Sequence, residues 1–195
     1  MPRTKEAFQH IRDESKQHIL SKAAKVFASK GLASTKVSDL AEAAGISQGL
    51  LYRYFDSKEG VFAELLERAV DGATQRAQAV LEGPAAPWDK LCRLTEQFLK
   101  GMYQEPVYYH LFSQALALPG RVREIIGALK QLTESLRGLI VEGQAAGQVA
   151  KRDPDELVLL YLSCLYGLAA GAGFFSRTAR AHFPDAEAVL QILKS

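Results

Sequence analysis

Gln48, Tyr52 and Arg53 are three polar residues whose spacing would turn their side chains to one side of a helix. A glutamine carboxamide can pair with N6 and N7 of adenine, and an arginine can read guanine or bind a phosphate. A tyrosine hydroxyl can donate to a phosphate oxygen. These residue types suit hydrogen bonding to duplex DNA, although an exposed polar helix face with no partner would show the same pattern.

The surrounding residues 36–55, KVSDLAEAAGISQGLLYRYF, predict a helix, a three-residue turn and a second helix. Ala41 is small enough for the two helices to cross closely, and Gly45 can adopt a left-handed turn. The apolar residues expected to fill the crossing are Leu40, Ala44, Ile46 and Leu51. Coincidence can also produce this helix-turn-helix pattern in a helical protein, so the flanking sequence must decide its meaning.

Apolar residues recur at three- and four-residue steps along nearly the whole chain, which predicts an all-α protein of about nine helices. We expect Gly31 to end the first helix and the Thr35 hydroxyl to cap the second. The expected organisation is an N-terminal three-helix helix-turn-helix head, residues 1–60, and a helical body, residues 61–195. The predicted helices are about 13–30, 35–44, 47–55, 58–82, 88–103, 106–118, 121–144, 153–177 and 184–194.

The composition is that of an ordinary globular protein, with 48% hydrophobic and 24% charged residues, which excludes a disordered tail. The net charge is +2, and residues 1–60 hold ten Lys and Arg against seven Asp and Glu. This positive surplus is too small to identify a nucleic-acid binder by itself. The N-terminal residues carry no secretory signal, so we expect a cytoplasmic protein.

No combination of residues predicts catalysis or metal binding. Cys92 and Cys164 lie far apart with no metal-ligand spacing, and each is better explained as a small buried hydrophobe than as a redox sensor. The four histidines are scattered, and the H-E-x-x-H, phosphate-loop and G-x-S-x-G motifs do not occur. We therefore expect no enzyme, no cofactor and no metal.

The flanks of the helix-turn-helix carry a longer pattern. Residues 18–66, HILSKAAKVFASKGLASTKVSDLAEAAGISQGLLYRYFDSKEGVFAELL, combine Ile-Leu, Ala-Ala and Phe in the first helix with Gly and Thr before the second. Asp-Leu-Ala, Ala-Gly-Ile-Ser, Leu-Tyr-x-Tyr-Phe and Ser-Lys-Glu follow. This segment resembles the DNA-binding head of the TetR family of transcriptional regulators. The segment EGQAAGQ followed by DPDEL, within residues 142–157, is similar to the start of that family's last helices.

The resemblance implies a dimeric regulator, usually a repressor, that binds a palindromic DNA operator and is released by a small-molecule effector. It implies a phosphate contact for Tyr52. Tyr54 could do the same or pack inward, and Leu50 could meet a thymine methyl or belong to the core. Gly49 would let the helix backbone approach DNA closely, or is simply tolerated on a surface. The expected DNA-binding residues are Thr35, Lys36, Ser47, Gln48, Gly49, Leu50, Tyr52, Arg53, Tyr54 and Lys58.

Aromatic residues are concentrated between Trp88 and Phe112. A helical core accounts for such a cluster, but three phenols and an imidazole also suit a ligand pocket. We expect a largely apolar, aromatic or polycyclic effector to bind in the body. The candidate ligand-binding residues are Phe98, Tyr103, Tyr109, His110, Phe112 and Tyr166.

Residues 157–175 contain no charge and are long enough to span a membrane. Interior glycines and the absence of flanking anchors argue against a span, so we expect a covered helix and no membrane partner. The resemblance implies that the last two helices, 153–177 and 184–194, pack against their two-fold copies as a four-helix bundle. The expected dimer-interface residues are Leu160, Cys164, Gly167, Leu168, Gly171 and Phe175.

Two other functions remain open from the residues alone. An architectural or interaction protein could use the same DNA-binding head without any ligand. A pocketed helical enzyme is a more distant alternative. Selection of bound sequences from random DNA separates the first alternative from a regulator, which should return one palindrome.

Overall fold

The computed structural model describes residues 5–104, 106–116, 119–171 and 184–194, which form nine α-helices and no β-strand. The predicted all-α fold is confirmed. The helices are α1 Lys5–Ser34, α2 Val37–Ala44, α3 Gln48–Tyr52, α4 Lys58–Leu81, α5 Pro87–Gln104, α6 Pro106–Leu116, α7 Pro119–Ala145, α8 Pro154–Gly171 and α9 Ala186–Leu190. None of these described helices combines the length and the apolarity that crossing a bilayer requires.

Contacts divide the chain into two compact units, Met1–Ala69 and Val70–Ser195. The division falls within α4, further along the chain than the predicted boundary between residues 60 and 61. The predicted domains of 1–60 and 61–195 stay a prediction.

The first unit is built on the packing of α1 against α2. Phe27 of α1 is fully buried and meets the Phe62 ring edge to face, with ring centroids 5.3 Å apart. The buried apolar residues that α1 and α2 contribute are Ile19, Leu20, Ala23, Ala24, Phe27, Leu40, Ala41 and Ala44. Leu40 and Ala44, which the sequence places in the helix crossing, are thus part of the observed core.

The connection between α1 and α2 differs from the prediction. Gly31 interrupts α1 with φ 76° and ψ 159°, a backbone conformation that only glycine adopts without strain. Thr35 was expected to cap α2, but it is only 1% exposed and its hydroxyl donates backwards to the Gly31 carbonyl at 2.7 Å. The start of α2 is instead completed by Asp39, whose Oδ2 accepts the Lys36 backbone N–H at 2.9 Å.

The second unit has a buried hydrogen bond at its centre, between Thr95 of α5 and Tyr161 of α8. The two hydroxyl oxygens lie 2.9 Å apart, and the Thr95 hydroxyl donates to the Leu91 carbonyl at 2.8 Å. The Tyr161 hydroxyl therefore donates to Thr95. Burial raises the pKa of Tyr161 to about 12, so the phenol stays protonated.

The last helix is shorter than predicted. Instead of extending over 184–194, α9 covers five residues and continues as the 3-10 turn Gln191–Leu193. Its apolar residues Ala186, Val189, Leu190 and Leu193 are buried in the core of the second unit, and α9 packs on α5. The described part of α9 therefore turns its apolar side chains inward, and the predicted dimer contact of the last two helices stays a prediction.

Candidate nucleic-acid interface

The turn between α2 and α3 depends on Gly45, which has φ 67° and ψ 32°. Its N–H donates to the Glu42 carbonyl, and the Ile46 N–H donates to the Ala41 carbonyl, each at 3.0 Å. A Cβ at Gly45 would meet no atom within 4 Å. The positive φ, rather than a lack of space, is the reason for glycine at this position.

Helix α3 is fixed by one cap and one buried side. The Ser47 hydroxyl accepts the Leu50 N–H at 3.2 Å, so its predicted DNA contact would have to coexist with this capping role. Leu51 is only 2% exposed, and Phe55 just after the helix is also buried. Burial of Leu51 settles which of the two adjacent leucines belongs to the core.

Burial of Leu51 turns the opposite side of α3 to solvent. Tyr52 is 52% exposed. Of the predicted DNA-binding residues on and beside α3, the exposed ones are Ser47, Gln48, Gly49, Tyr52 and Arg53. The arrangement can present a carboxamide, a phenol and a guanidinium to a duplex, as the spacing predicted.

Leu50 and Tyr54 are half-buried and line a groove beside α1. The α1 residues in this groove are Glu14, Ser15, His18 and Ile19, and Ile46 completes it. Tyr54, for which outward and inward orientations were both open, therefore lies partly against the head itself.

None of the described residues requires a glycine at position 49. A Cβ at this position would meet no atom within 4 Å, and its φ lies outside the positive region. Glycine inside a helix costs about 1 kcal/mol relative to alanine. The fold gains nothing in exchange, so the advantage of glycine must come from outside this chain or be absent.

His18 supports the turn in a way that the sequence did not predict. Its Nε2 lies 3.2 Å from the Ala44 carbonyl, which can only accept, so Nε2 carries the proton. This bond ties α1 to the last residue of α2. The two residues are 26 positions apart, and no local pattern connects them.

The first residues of α2 lie in a cluster of charges. Asp39 Oδ1 lies 3.0 Å from Lys30 Nζ, while Oδ2 accepts the Lys36 N–H. The backbone N–H of Lys36, followed by the Lys30 ammonium, lowers the pKa of Asp39. The Lys36 side chain is exposed at this end of α2, where the helix dipole also favours an anion.

The Lys58 side chain is bonded within the head. Its ammonium donates to the carbonyls of Leu32 at 3.0 Å, Ala33 at 3.1 Å and Thr35 at 2.8 Å. These three acceptors match the three donors of an ammonium group. The structure thus gives Lys58 and the buried Thr35 contacts within the protein, and their DNA contacts stay a prediction.

A second ionic cluster, also missed by the sequence analysis, joins α1 to α4. Glu64 pairs with Lys16 and with Arg68, each at 2.7 Å. Partial burial acts to raise the pKa of Glu64, but hydrogen bonds from Lys16 and Arg68 outweigh it and the pKa is lowered. Lys16 Nζ also lies 5.4 Å from the centre of the Phe55 ring, beside the end of the helix-turn-helix.

The candidate ligand-binding residues of the second unit are only partly gathered. Phe98 and Tyr109 contact each other edge to face, with centroids 5.1 Å apart, and the Tyr109 hydroxyl donates to the Phe98 carbonyl at 3.1 Å. His110 is exposed, and Tyr166 is half-buried. Burial raises the pKa of Tyr166. The side chains of Tyr103 and Phe112 lie outside the described residues.

The candidate dimer-interface residues follow one helix. Leu160 and Gly167 are exposed, while Cys164, Leu168 and Gly171 are half-buried, and Phe175 lies outside the described residues. Leu159, which is not among the predicted interface residues, is 66% exposed. Burial raises the pKa of the Cys164 and Cys92 thiols, so neither is activated as a thiolate. Among the described residues, no group of three or more His, Cys, Asp or Glu could hold a metal ion.

Comparison with known proteins identifies the first unit. The model of the family described as bacterial regulatory proteins, tetR family, matches residues 19–65. A transcriptional repressor from Mycolicibacterium smegmatis, KstR2, is 39% identical over 79 residues, which are 40% of this chain and 38% of that relative. The regulator PfmR from Thermus thermophilus has 26% identity and a TM-score of 0.73 over 89% of this chain and 97% of its own. The head of this chain, residues 19–65, is therefore a TetR-family domain.

The fold likeness to TetR-family structures extends well beyond the matched head. A transcriptional regulator from Saccharomonospora viridis, solved in complex with choline, has a TM-score of 0.75 and 23% identity over 92% of this chain and 93% of its own. By contrast, the chain spans 38% of the length of the M. smegmatis repressor in the sequence match. These relatives carry the names of transcriptional regulators, not of enzymes, in agreement with the expectation from the motifs.

Because the pKa of Asp39 is lowered in the folded head, the free energy of unfolding of the head depends on pH. The Asp39 carboxylate stabilises the fold fully above its unfolded pKa of 3.8, and this stabilisation is lost as the pH falls through the lower folded pKa. Asp39→Asn should therefore be less stable than the wild type at pH 7, and the difference should shrink below about pH 3.8. Thermal unfolding of both proteins from about pH 7 down to about pH 2.5 measures it. A difference that does not change with pH would contradict the assigned contacts.

Proposed function

We propose that this protein is a ligand-responsive transcriptional regulator of the TetR family, most simply a repressor, that binds a palindromic DNA operator as a homodimer. The observation that carries the proposal is the exposed face of α3, held by the buried Leu51 and by the Gly45 turn. A recognition helix of this kind enters the major groove with its polar side chains toward the base edges.

The proposed contacts divide by chemistry. Gln48 reads adenine through its carboxamide, and Arg53 reads guanine or binds a phosphate. Tyr52 donates to a phosphate, and Lys36 supplies a positive charge at the start of α2. Gly49 permits close approach of the α3 backbone, which accounts for a glycine that the fold does not need.

Dimerisation would use the exposed apolar stripe of α8. Leu159, Leu160, Ser163, Gly167 and Ala170 are exposed and uncharged on one side of this helix. An uncharged helix face of this kind is commonly covered by a partner, and small residues allow a second helix to approach closely. An isologous contact between two copies would give the two-fold symmetry that a palindrome requires.

The effector is proposed to be a largely apolar small molecule bound in the second unit near Phe98, Tyr109 and Tyr166. The S. viridis regulator of the same fold was solved with choline, which supports a small-molecule site within this architecture. An effector can release DNA only if it binds the DNA-competent and the DNA-incompetent conformations with different affinity.

Selection of bound sequences from random duplex DNA tests the regulator function. The wild type should return one palindrome, and Gln48→Ala should relax the preference at one base pair per half-site, at a cost of about 1–3 kcal/mol. Gln75→Ala is the matched control, because Gln75 is an exposed glutamine on α4 in the second unit. An unchanged preference in Gln48→Ala would refute the reading role, and the absence of any palindrome would favour an architectural DNA-binding protein.

Gly49→Ala should raise the stability of the protein and lower its affinity for DNA. The added methyl group has space in the free protein, so the free energy of unfolding should rise by up to about 1 kcal/mol. Affinity for the selected operator should nevertheless fall about 10-fold or more, because the methyl group would collide with the duplex. If affinity is unchanged, Gly49 is only tolerated on the surface.

Sedimentation at micromolar concentration tests the dimer. Leu159→Lys should give monomers or aggregates, because a lysine cannot be buried there without a partner charge. Val141→Lys is the matched control, since Val141 is an exposed apolar residue on α7. A wild-type monomer, or a dimer unaffected by Leu159→Lys, would rule out the α8 contact.

The effector is tested by titrating a compound that raises the melting temperature against the free protein and against the protein–operator complex. A coupling of about 1–3 kcal/mol would separate the two dissociation constants by about 5- to 150-fold, and DNA would be released to the same extent. Equal dissociation constants would exclude that compound as an effector.

A further inference from the structure

Lys58, the first residue of α4, bonds through its side chain to the connection between α1 and α2. Its ammonium lies 2.8–3.1 Å from the carbonyl oxygens of Leu32, Ala33 and Thr35. We call these four residues the Lys58 clamp. The contacts cross 23–26 positions of sequence, so they join two parts of the head that no local structure would hold together.

The connection needs an external donor because of how α1 ends. Gly31 breaks the helix with φ 76°, and α1 stops at Ser34. The last carbonyls of a helix have no N–H partner further along it. A positive charge at this end also offsets the negative end of the helix dipole. The Lys58 ammonium supplies both the donors and the charge.

The same connection leads directly into the start of α2. Thr35, whose carbonyl Lys58 binds, precedes Lys36, and the Lys36 N–H is held by Asp39. The position of Lys58 therefore determines where the first turn of α2 lies. Lys36 immediately precedes this turn, and its exposed side chain is the one proposed to bind a phosphate.

We propose that Lys58 is a positioning residue for DNA binding, which holds the start of α2 in place through three carbonyls and does not itself contact a phosphate. In its relation to DNA this inference rests on the proposed function. A phosphate could bind the Lys58 ammonium only in competition with carbonyls that already occupy its three donors. The Lys36 side chain, by contrast, faces solvent at this site.

Thermal unfolding of the full chain without DNA tests the clamp itself. Lys58→Met should lower the melting temperature by roughly 4–8 °C, because carbonyls at the end of α1 lose their donor. Lys58→Arg should not restore it, because a planar guanidinium cannot direct three donors from one point. Lys25→Met, at an exposed lysine of α1, is the control and should melt within about 1 °C of the wild type. Wild-type melting of Lys58→Met would overturn the clamp.

The salt dependence of binding to the selected operator separates positioning from phosphate contact. Loss of one phosphate contact flattens the slope of log K against log salt by about 0.9 per protomer. Lys36→Met should show this change. Lys58→Met should weaken binding about 10-fold at one salt concentration and flatten the slope by at most the same 0.9, because the contact that it disturbs is that of Lys36. The Lys36→Met/Lys58→Met double variant should then flatten the slope by about 0.9 in total, whereas a change of about 1.8 would identify Lys58 as a second phosphate ligand and overturn the proposal.

A double-mutant cycle tests whether Lys58 acts through the start of α2. If Lys58 positions Lys36, Lys58→Met should cost much less affinity in the Lys36→Met background than in the wild type. Additive losses would mean that Lys58 stabilises the fold without positioning this contact, which would overturn the proposal. Failure of the wild type to select any operator would refute the proposed function, whereas the melting experiment would still decide whether the clamp exists.

Discussion

The exposed face of α3 depends on the burial of Leu51. A five-residue helix has no stability of its own, because nucleation costs more free energy than its few hydrogen bonds contribute. Leu51 and the adjoining Phe55 anchor α3 in the core of the head, and Ser47 caps its start. Because one side of the helix is buried, the residues on the opposite side must face solvent. The exposed set around Gln48 and Tyr52 follows from that single constraint.

Polar side chains, rather than apolar packing, complete the junctions between the helices of the head. Asp39, Lys58 and His18 each satisfy backbone groups at a helix end, where the helix itself cannot. Each of these contacts leaves fewer donors or acceptors for other partners. Lys58 is the clearest case, because three carbonyls already accept from its ammonium group.

In the second unit, the polar groups at the centre are buried side chains. Thr95 and Tyr161 satisfy each other inside the α5–α8 contact, and burial raises the pKa of Tyr161 enough to keep its proton. The short α9 buries its apolar side chains in the core. An uncharged stripe on α8 remains exposed, and it is this stripe that an isologous partner could cover.

The sequence alone was sufficient to predict the helical class, the Gly45 turn, the buried side of α3 and the family of the head, because each of these depends on local spacing or on a dense run of residue types. It also predicted that Gln48 and Tyr52 are exposed, since helix periodicity assigns faces once one buried residue is known. Helix ends were less predictable. Thr35 and Asp39 are both residue types that cap helices, but the Thr35 hydroxyl donates to the Gly31 carbonyl, and Asp39 accepts the Lys36 N–H.

The contacts of Lys58, His18 and Lys16 became apparent only in the tertiary structure. Their partners lie more than twenty positions away, and a lysine that binds carbonyls is indistinguishable in sequence from one that binds phosphate. The same limit applies to α9, whose apolar residues are buried in the core of the second unit, where α9 packs on α5. Local periodicity states which side of a helix is apolar, but the identity of the surface that buries that side depends on contacts that are distant in the chain.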